Sequence, residues 1–508
     1  MEPLLPADKT VMDLPQDLLL FLAFFISCII LFSSIKTLWS RGSLPPGPTP
    51  LPLLGNALDV GADIVDSLMK LRKKYGDVFT VHLGSRPVVV VCGYKLVSEI
   101  YLDKGDDYLN RGDMPAWDAF YKDSGLVFTA NMNKWRDLRR FSLTTLRDFG
   151  FGKRSLEDRI HEETQHLVAV LKNSGGQYNT FIDPRQSLSK AFYNVIFSIM
   201  FGHRCNYEDK EIATILNCIY ETFVTISSPW GQIYEMFPWL MGFIPGPHQK
   251  ISKLLGDLSQ YVDTRVKINQ KALDPDDPQD YIDAFLIKME KEKINQNSEF
   301  NMRNLLSCTL QIFFAGVETI STTTTYSLLI LMKYPDVLAK VHKEIDDIIG
   351  RNRAPTLQDR NRMPYMEAMI HEMQRFTDLI PMGVPRRTTK KVTLNGYTLP
   401  KDINIYPMLT TVLKDPNCFK YPTEFNPENF LNEKGEFKRN DAFMPLAAGK
   451  RICLGESLVR MELFLFLVTI LQNFDLKSPV PVEELDITPN VSGLGNFPKP
   501  YKLAFIPR

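Results

Sequence analysis

The chain has 508 residues, and hydrophobic residues make up 44% of them, enough for a large core. The 59 lysines and arginines balance the 59 aspartates and glutamates. No basic excess is therefore available to neutralise phosphates, which argues against nucleic-acid binding. The seven cysteines form no CxxC pair, so a zinc ribbon or a disulfide scaffold is not expected.

The amino-terminal segment is typical of a membrane anchor. Residues 18–35 are uncharged and mostly apolar, and as a helix they would span about 27 Å, close to the hydrocarbon thickness of a bilayer. Acidic residues precede them and Lys36 and Arg41 follow, which predicts a lumenal amino terminus and a cytosolic body. A cleaved signal peptide is the alternative, but the segment lacks a basic start. We predict an anchor over residues 1–43, with its transmembrane helix at about 18–38.

A proline-rich stretch follows the anchor. Five prolines in residues 44–52 exclude helix and central strand, so we predict a stiff hinge over residues 44–56; an ordinary linker is the alternative. No second linker or repeat follows, and residues 57–508 are predicted to form one large domain.

Helical spacing predominates in this domain, which predicts a mainly α fold with a small β region. Val78–Leu83 and residues 87–91 form a predicted hairpin around Gly84 and Ser85. Short strands and turns are expected after Pro381, for example over residues 392–399.

Met302–Lys333 is predicted to be one helix about 48 Å long, which would cross the whole domain. Gln311, Glu318 and several serines and threonines interrupt it, so a second membrane span is not expected. At its centre, residues 315–319 (AGVET) combine small residues with an acid and an alcohol, groups suited to proton delivery. A packing glycine and a backbone-bonded threonine are the alternative reading.

Glu372 and Arg375 lie in a predicted helix over residues 363–376. Their i, i+3 spacing places both charges on one helix face, where they can pair. On its own the pattern is also typical of a solvated helix face.

The segment 443–456 (FMPLAAGKRICLGE) is the most specific in the chain. Gly449 and Gly455 flank Cys453 and permit a tight turn with close backbone approach. An apolar helix is predicted from residue 456 to about 471, with its positive end beside the sulfur.

That helix end, with Lys450 and Arg451, is expected to lower the pKa of the Cys453 thiol and favour the thiolate. A thiolate is one of the axial ligands of haem iron and promotes O–O cleavage. A buried structural cysteine is the alternative.

Five motifs in order give the chain a clear resemblance to the cytochromes P-450, from anchor to C-terminus. It is most similar to the microsomal group of family 2, whose members oxidise drugs, fatty acids and steroids. The motifs are LPPGPTPLPLLGN (44–56), WRDLRR (135–140), FFAGVETISTT (313–323), EMQRF (372–376) and AGKRICLGE (448–456).

The resemblance implies the P-450 fold, haem b as cofactor, and a haem-binding catalytic domain over residues 57–508. It implies that Cys453 is the axial ligand of the iron. Glu318 and Thr319 would be the oxygen-activation pair, and Glu372 and Arg375 the structural ion pair behind the haem. Further contacts to the haem, chiefly to its propionates, would come from Arg111, Trp135, Arg139, Arg386, Gly449 and Arg451.

Two positions depart from the family pattern. Leu446 stands where an aromatic residue normally shields the thiolate, which puts redox potential and haem retention in question. Asn429 replaces an arginine in the PERF turn, here PENF, and cannot form its charged link to Glu372 and Arg375. An amide can still hydrogen-bond there.

The resemblance further implies a monooxygenase of the endoplasmic reticulum membrane with a cytosolic catalytic domain. No nicotinamide or flavin motif is present, so NADPH would act through a separate flavoprotein reductase, with cytochrome b5 as a second donor. A basic docking face for these partners, or only scattered solvated charges, is formed by Lys134, Arg136, Arg140, Lys438, Arg439 and Lys450.

A lipophilic xenobiotic, fatty acid or steroid is the expected substrate class. The predicted pocket segments are rich in apolar and aromatic residues: 117–128, 219–243, 307–319, 379–384 and 492–495. Residues 237–244 are either part of the core or dip into the membrane.

Two other functions remain open at this stage. A haem-thiolate isomerase or dehydratase would act on a peroxide substrate without a reductase, and a non-catalytic protein would only bind haem or lipid. The acid–alcohol pair at Glu318 and Thr319 argues against both, because neither function needs to protonate dioxygen.

Overall fold

A computed structural model describes residues 44–508, except 62, 152–153 and 175–179, together with seven positions between 17 and 28. The predicted transmembrane helix therefore lies mostly outside the described residues. The positions described within it (20, 21, 24, 25, 27 and 28) are helical. Its described leucine and phenylalanine side chains, at 20, 21, 24 and 25, are 55% to 70% exposed.

Helices make up most of the described chain, as the spacing of apolar residues predicts. They are α1 (Ala57–Val60), α2 (Ile64–Tyr75), α3 (Tyr94–Ser98), α4 (Pro115–Tyr121), α5 (Met132–Asp148), α6 (Arg154–Ser174), α7 (Pro184–Phe201), α8 (Lys210–Ser227), α9 (Pro229–Met236), α10 (Pro238–Met241), α11 (Lys250–Ala272), α12 (Tyr281–Glu292), α13 (Met302–Lys333), α14 (Pro335–Ile348), α15 (Pro364–Thr377), α16 (Leu409–Leu413) and α17 (Glu456–Asn473).

A small β region completes the fold, so the predicted mainly α fold with a small β region is confirmed. The strands are β1 (Val78–Leu83), β2 (Arg86–Val91), β3 (Asn110–Arg111), β4 (Arg386–Arg387), β5 (Val392–Leu394), β6 (Tyr397–Leu399), β7 (Asn404–Pro407), β8 (Phe474–Lys477), β9 (Pro489–Val491), β10 (Phe497–Pro498) and β11 (Ala504–Pro507).

The largest sheet has the strand order β1-β2-β7-β4-β3. The hairpin of β1 and β2 is antiparallel, with Val78 opposite Val91, and it matches the hairpin predicted around Gly84 and Ser85. Strand β7 pairs with β2 in parallel and with β4 in antiparallel orientation. This sheet therefore joins the amino-terminal part of the domain to segments some 300 residues later in the chain.

Helix α13 has the predicted bounds and crosses the protein interior. Among the described residues it is the one helix long and apolar enough to cross a membrane, but 72% of its most apolar window is buried in the protein. Its N-terminus is capped by Asn301, whose side chain accepts a hydrogen bond from the Asn304 N–H. The prediction that it crosses the domain and is not a second membrane span agrees with this burial.

The glycine at the centre of α13 packs closely against α7. A Cβ atom at Gly316 would lie 2.6 Å from Cδ1 of Ile196 on α7, so a larger residue would require that side chain to shift. This packing favours glycine at a position where it costs about 1 kcal/mol relative to alanine inside a helix.

The proline-rich segment lies against strand β1. The Thr80 N–H donates to the Pro46 carbonyl at 2.9 Å, and a Cβ at Gly47 would lie 1.9 Å from the Thr80 carbonyl oxygen. The Asn56 side chain accepts from the His82 N–H at 2.8 Å. The predicted hinge thus contacts strand β1 near both of its ends.

A buried ion pair on α15 organises the region before the cysteine loop. Glu372 and Arg375 are both 0% exposed and form two parallel hydrogen bonds of 2.7 Å. Arg375 also donates to backbone carbonyls at 2.7–3.2 Å; these belong to Leu413, Tyr421, Pro422 and Glu424. Such partners offset the cost of removing both charges from water.

Asn429 takes part in the same network. Its amide donates to both carboxylate oxygens of Glu372 at 3.2 Å and its oxygen accepts from the Tyr421 N–H at 2.8 Å. The expectation that an amide can still hydrogen-bond at this position is confirmed.

Replacing Arg375 by alanine should strand a buried carboxylate and lower the free energy of unfolding by about 3–5 kcal/mol. Denaturant unfolding of purified protein measures this. As a control, Arg351→Ala removes an exposed pair with Asp346 and should cost less than about 1 kcal/mol. Equal effects of the two substitutions would contradict the role of the buried pair.

Candidate functional site

The described residues enclose a large cavity between the middle of α13 and the loop before α17. It holds about 1640 Å³ of empty space, its mouth included. Residues from α5, α13, the segment after α15 and the cysteine loop all contribute to its lining.

The cysteine loop presents Cys453 to this cavity. Gly449 has a φ of +72°, and a Cβ there would lie 2.0 Å from the Tyr101 carbonyl oxygen, so the loop packs backbone to backbone as its glycine predicts. The Cys453 N–H donates to the Leu446 carbonyl at 3.1 Å. The sulfur is accessible from the cavity, and α17 begins three residues later at Glu456.

The expected lowering of the Cys453 pKa is wrong. Burial raises the pKa of the thiol, and the Gly455 N–H and the Arg139 charge oppose that effect only in part. Lys450, one of the two expected contributors, instead pairs with Asp106 at 2.7 Å. A coordinated metal deprotonates a thiol outright, so an iron atom bound by Cys453 would itself favour the thiolate.

Four arginines surround the same cavity: Arg111, Arg139, Arg386 and Arg451. Three of them donate to backbone carbonyls at 2.6–3.0 Å; these are the carbonyls of Val127, Ile452 and Thr129. The indole of Trp135 also lines the cavity and lies 4.5 Å and 5.7 Å from the guanidinium groups of Arg451 and Arg139.

The arginines repel one another. Burial lowers the pKa of Arg451 to about 9, with Arg386 and Arg139 adding to the effect. Burial, then Arg451 and Arg386, also lowers the pKa of Arg111. N–H groups of Arg386 and Arg451 have no hydrogen-bond partner among the described residues. An anionic group in the cavity would satisfy both the charge and these donors, and the two propionates of haem fit this requirement.

Thr319 and Glu318 lie on different sides of α13. Thr319 lines the cavity, and its hydroxyl donates to the Ala315 carbonyl at 2.8 Å. Among the described residues, Glu318 is not part of the cavity wall. Its carboxylate accepts from Thr322 at 2.9 Å, and burial raises its pKa to about 7, with Arg185 opposing.

Three of the five predicted pocket segments contribute to the cavity wall. They do so through Leu126 and Val127, through 311–319, and through 379–384. Segments 219–243 and 492–495 were also predicted, but no residue described there lines the cavity. Phe223 stacks on Phe314 at 4.5 Å, so aromatic packing keeps the first of these segments behind the wall.

Glu462 on α17 is a cavity residue that sequence reasoning missed. It is 0% exposed, and neither carboxylate oxygen has a hydrogen-bond partner among the described residues. Burial raises the pKa of Glu462 well above its usual range, which favours the neutral acid. The sequence could have indicated this, because Glu462 is a single acid within an otherwise apolar stretch of α17.

The cavity is lined by a thiol, four arginines and one face of a long helix. This combination is typical of a haem-thiolate protein. Comparison with known proteins agrees, because residues 45–505 match the Cytochrome P450 family model. Cytochrome P450 2G1 of Oryctolagus cuniculus is 47% identical over 98% of this chain and 100% of its own.

Two further relatives are similar over nearly their whole length. Cytochrome P450 2A11 of Oryctolagus cuniculus is 48% identical over 96% of this chain and 99% of its own. Cytochrome P450 2A6 of Homo sapiens is 47% identical over 97% of this chain and 99% of its own. The chain belongs to the cytochrome P450 family. It is accordingly a haem-dependent monooxygenase, an oxidoreductase.

The arginine cluster generates a test of haem retention. Arg386→Leu should speed haem loss to an excess of an acceptor apoprotein by about 10-fold, since an ion-paired hydrogen bond contributes about 1.5–3 kcal/mol. The apoprotein should be no less stable, because a buried like charge is removed. Arg387→Leu is the control, since Arg387 pairs with Asp113 and lies outside the cavity wall. Equal haem loss from the two variants would contradict the assignment.

Proposed function

We propose that this protein hydroxylates a lipophilic organic substrate at the endoplasmic reticulum membrane, with electrons from NADPH delivered by a separate flavoprotein reductase. Cys453 and the arginines would hold haem, which would supply the activation of dioxygen and the insertion of one of its oxygen atoms into a C–H bond. Overall, R–H, dioxygen, two electrons and two protons give R–OH and water. One observation carries the proposal: apolar side chains, Cys453 and Thr319 all line the same cavity.

The apolar wall favours substrates that gain by leaving water. Aliphatic side chains from three separate segments of the chain line the cavity; they are Leu126, Val127, Ile312, Leu379, Ile380 and Val384. Burial of apolar surface contributes about 25 cal/mol per Å². A xenobiotic, fatty acid or steroid therefore fits this wall better than a charged metabolite.

Thr319 and Glu318 are proposed to move protons towards the cavity. The Thr319 hydroxyl is positioned at the cavity by its bond to Ala315. A carboxyl group with a pKa of about 7, such as Glu318, can both hold and release a proton near neutral pH. Glu318 would take protons from outside and pass them along the helix towards Thr319.

The docking site for the reductase, and for cytochrome b5, is proposed at a surface groove beside α5. Arg136 and Arg140 line this groove, which shares Trp135 and Arg139 with the haem cavity. Lys134 contributes less than expected because it pairs with Asp123 at 3.4 Å. Lys450 is likewise engaged, with Asp106. The remaining positive charge suits an acidic partner surface.

Contact with the membrane is supported by exposed apolar side chains on two neighbouring segments. Trp239 is 66% and Phe243 is 86% exposed, and both follow α9. Leu58 on α1 is 78% exposed. The segments meet near the β1–β2 turn, where a Cβ at Gly84 would lie 2.5 Å from the Met236 carbonyl oxygen. We propose that this surface dips into the membrane beside the anchor.

The first test is the absorption spectrum of the ferrous–carbon monoxide complex in membranes. Wild type should show the strongly red-shifted Soret band of thiolate ligation, and Cys453→Ala should lose it. Product formation that requires NADPH and reductase would then separate the monooxygenase from a peroxide isomerase or a non-catalytic protein. An ordinary haem–carbon monoxide band in the wild type, or turnover without reductase, would overturn the proposal.

The second test concerns proton delivery. A positioned proton donor contributes about 10²–10⁴-fold, so Thr319→Ala should lower product per NADPH by at least about 10-fold while haem is retained. Thr324→Ala, on the same helix outside the cavity wall, should change it little. Unchanged product yield in Thr319→Ala would contradict the role.

Glu318 should give this yield a pH dependence. Its carboxyl carries a proton below its pKa of about 7 and loses it above, so product per NADPH in the wild type should fall as pH rises through 7. Glu318→Gln should lower the yield and remove its fall near pH 7. If the yield of Glu318→Gln still falls near pH 7, another group is responsible for the pH dependence.

A further inference from the structure

Side chains of α13 bind backbone and side-chain atoms of the loop that follows α4. Asn304, Ser307 and Gln311 are spaced i, i+3 and i+7, which places them on one face of the helix. Asn304 accepts from the Gly125 N–H at 3.2 Å, and the hydroxyls of Ser307 and Ser124 lie 2.7 Å apart. The loop therefore lies along this face of α13, with its polar groups bonded to the helix.

Gln311 makes the most complete of these attachments. Its oxygen accepts from the N–H groups of Leu126 and Val127 at 2.7 Å and 2.8 Å, and its amide nitrogen donates to the Ser124 carbonyl at 3.0 Å. Gln311 is 3% exposed. One side chain thus holds both ends of the loop 124–127.

The loop is shaped closely around this amide. Gly125 has a φ of +80°, and a Cβ there would lie 2.5 Å from the Gln311 side-chain oxygen. Only glycine combines this backbone conformation with such a close approach. The loop therefore has little room to shift while Gln311 is in place.

The same loop forms part of the cavity wall. Leu126 and Val127 line the cavity, as does Gln311 itself. Because the polar atoms of Gln311 are bonded to the loop, the wall that a ligand meets at this point is aliphatic. The opposite edge of the loop is fixed as well, since the Val127 carbonyl accepts from Arg111 at 2.6 Å.

We propose that Gln311 is a positioning residue that sets substrate size, because its amide clamps the loop 124–127 and so fixes Leu126 and Val127 as a rigid wall of the cavity. Without the clamp, the wall yields to bulky ligands and no longer packs tightly against small ones. The inference deepens the proposed function by naming what limits the substrate.

The test uses Gln311→Met, which keeps the side-chain volume and removes the hydrogen bonds. Haem-loaded ferric protein is titrated with azoles of graded size, whose ligation of the iron is followed by the shift of the Soret band. In the wild type, affinity should fall steeply beyond a limiting size. In Gln311→Met, the ratio of small-azole to large-azole affinity should fall by about 10-fold.

Gln472→Met is the matched control, because Gln472 is also a buried amide that donates to backbone carbonyls, those of Gly350 and Arg353, but it lies on α17 outside the described cavity wall. Its size dependence should follow the wild type. Hydrogen exchange at the amides of Leu126 and Val127 should accelerate at least 10-fold in Gln311→Met and remain unchanged in Gln472→Met.

Two outcomes would overturn the proposal. Unchanged exchange at Leu126 and Val127 would show that Gln311 does not hold the loop. Faster exchange with an unchanged azole profile would show that the clamp does not set ligand size. If Gln311→Met does not retain haem, Gly125→Ala replaces it, because it displaces the loop from the amide; the same loss of size dependence is expected, and its absence overturns the proposal.

Azole binding requires no reductase, NADPH or dioxygen. Failure of the clamp can therefore be distinguished from failure of the proposed monooxygenase function. A protein that turns over no substrate but shows the altered azole profile would refute the proposed function alone.

Discussion

The arginines around the central cavity are the constraint on which the rest of the structure depends. Their like charges repel one another, and burial removes the water that would screen them. Their hydrogen bonds also hold the backbone that shapes the cavity, at Val127, Thr129 and Ile452. The walls thus contain positive charges that the described protein residues compensate only in part. A dianionic prosthetic group would neutralise these charges. The same arginines would therefore bind the cofactor and shape the cavity.

Local signals predicted the elements and the cysteine loop well. Met302–Lys333 has its predicted bounds because Asn301 caps it and a proline ends it, and the Cys453 turn follows from Gly449, whose neighbour is a backbone carbonyl. Properties that depend on distant packing were not predictable. The pKa of Cys453 rises because burial outweighs nearby dipoles and charges. The pocket segment 219–243 lies behind aromatic stacking, and β7 pairs with strands far away in the sequence.

The departure at Asn429 shows how a buried ion pair tolerates the loss of a charged neighbour. Glu372 receives hydrogen bonds from Arg375, from the Asn426 N–H and from the Asn429 amide. An amide supplies donors without adding a charge that would have to be desolvated. Leu446 differs in kind, because it lies in the cavity wall beside Cys453 and its effect is on the surroundings of the sulfur.

The loop 124–129 lies between two systems that are otherwise separate. Its N–H groups are bonded to α13 through Gln311, whereas its carbonyls at Val127 and Thr129 are bonded to Arg111 and Arg451. Such an arrangement makes ligand affinity and cofactor affinity linked quantities, and linkage is reciprocal. A ligand that pushes the loop outward must weaken the hold on haem by the same factor by which haem weakens the binding of that ligand. Ligands that differ in how far they displace the loop should therefore also differ in their effect on haem affinity.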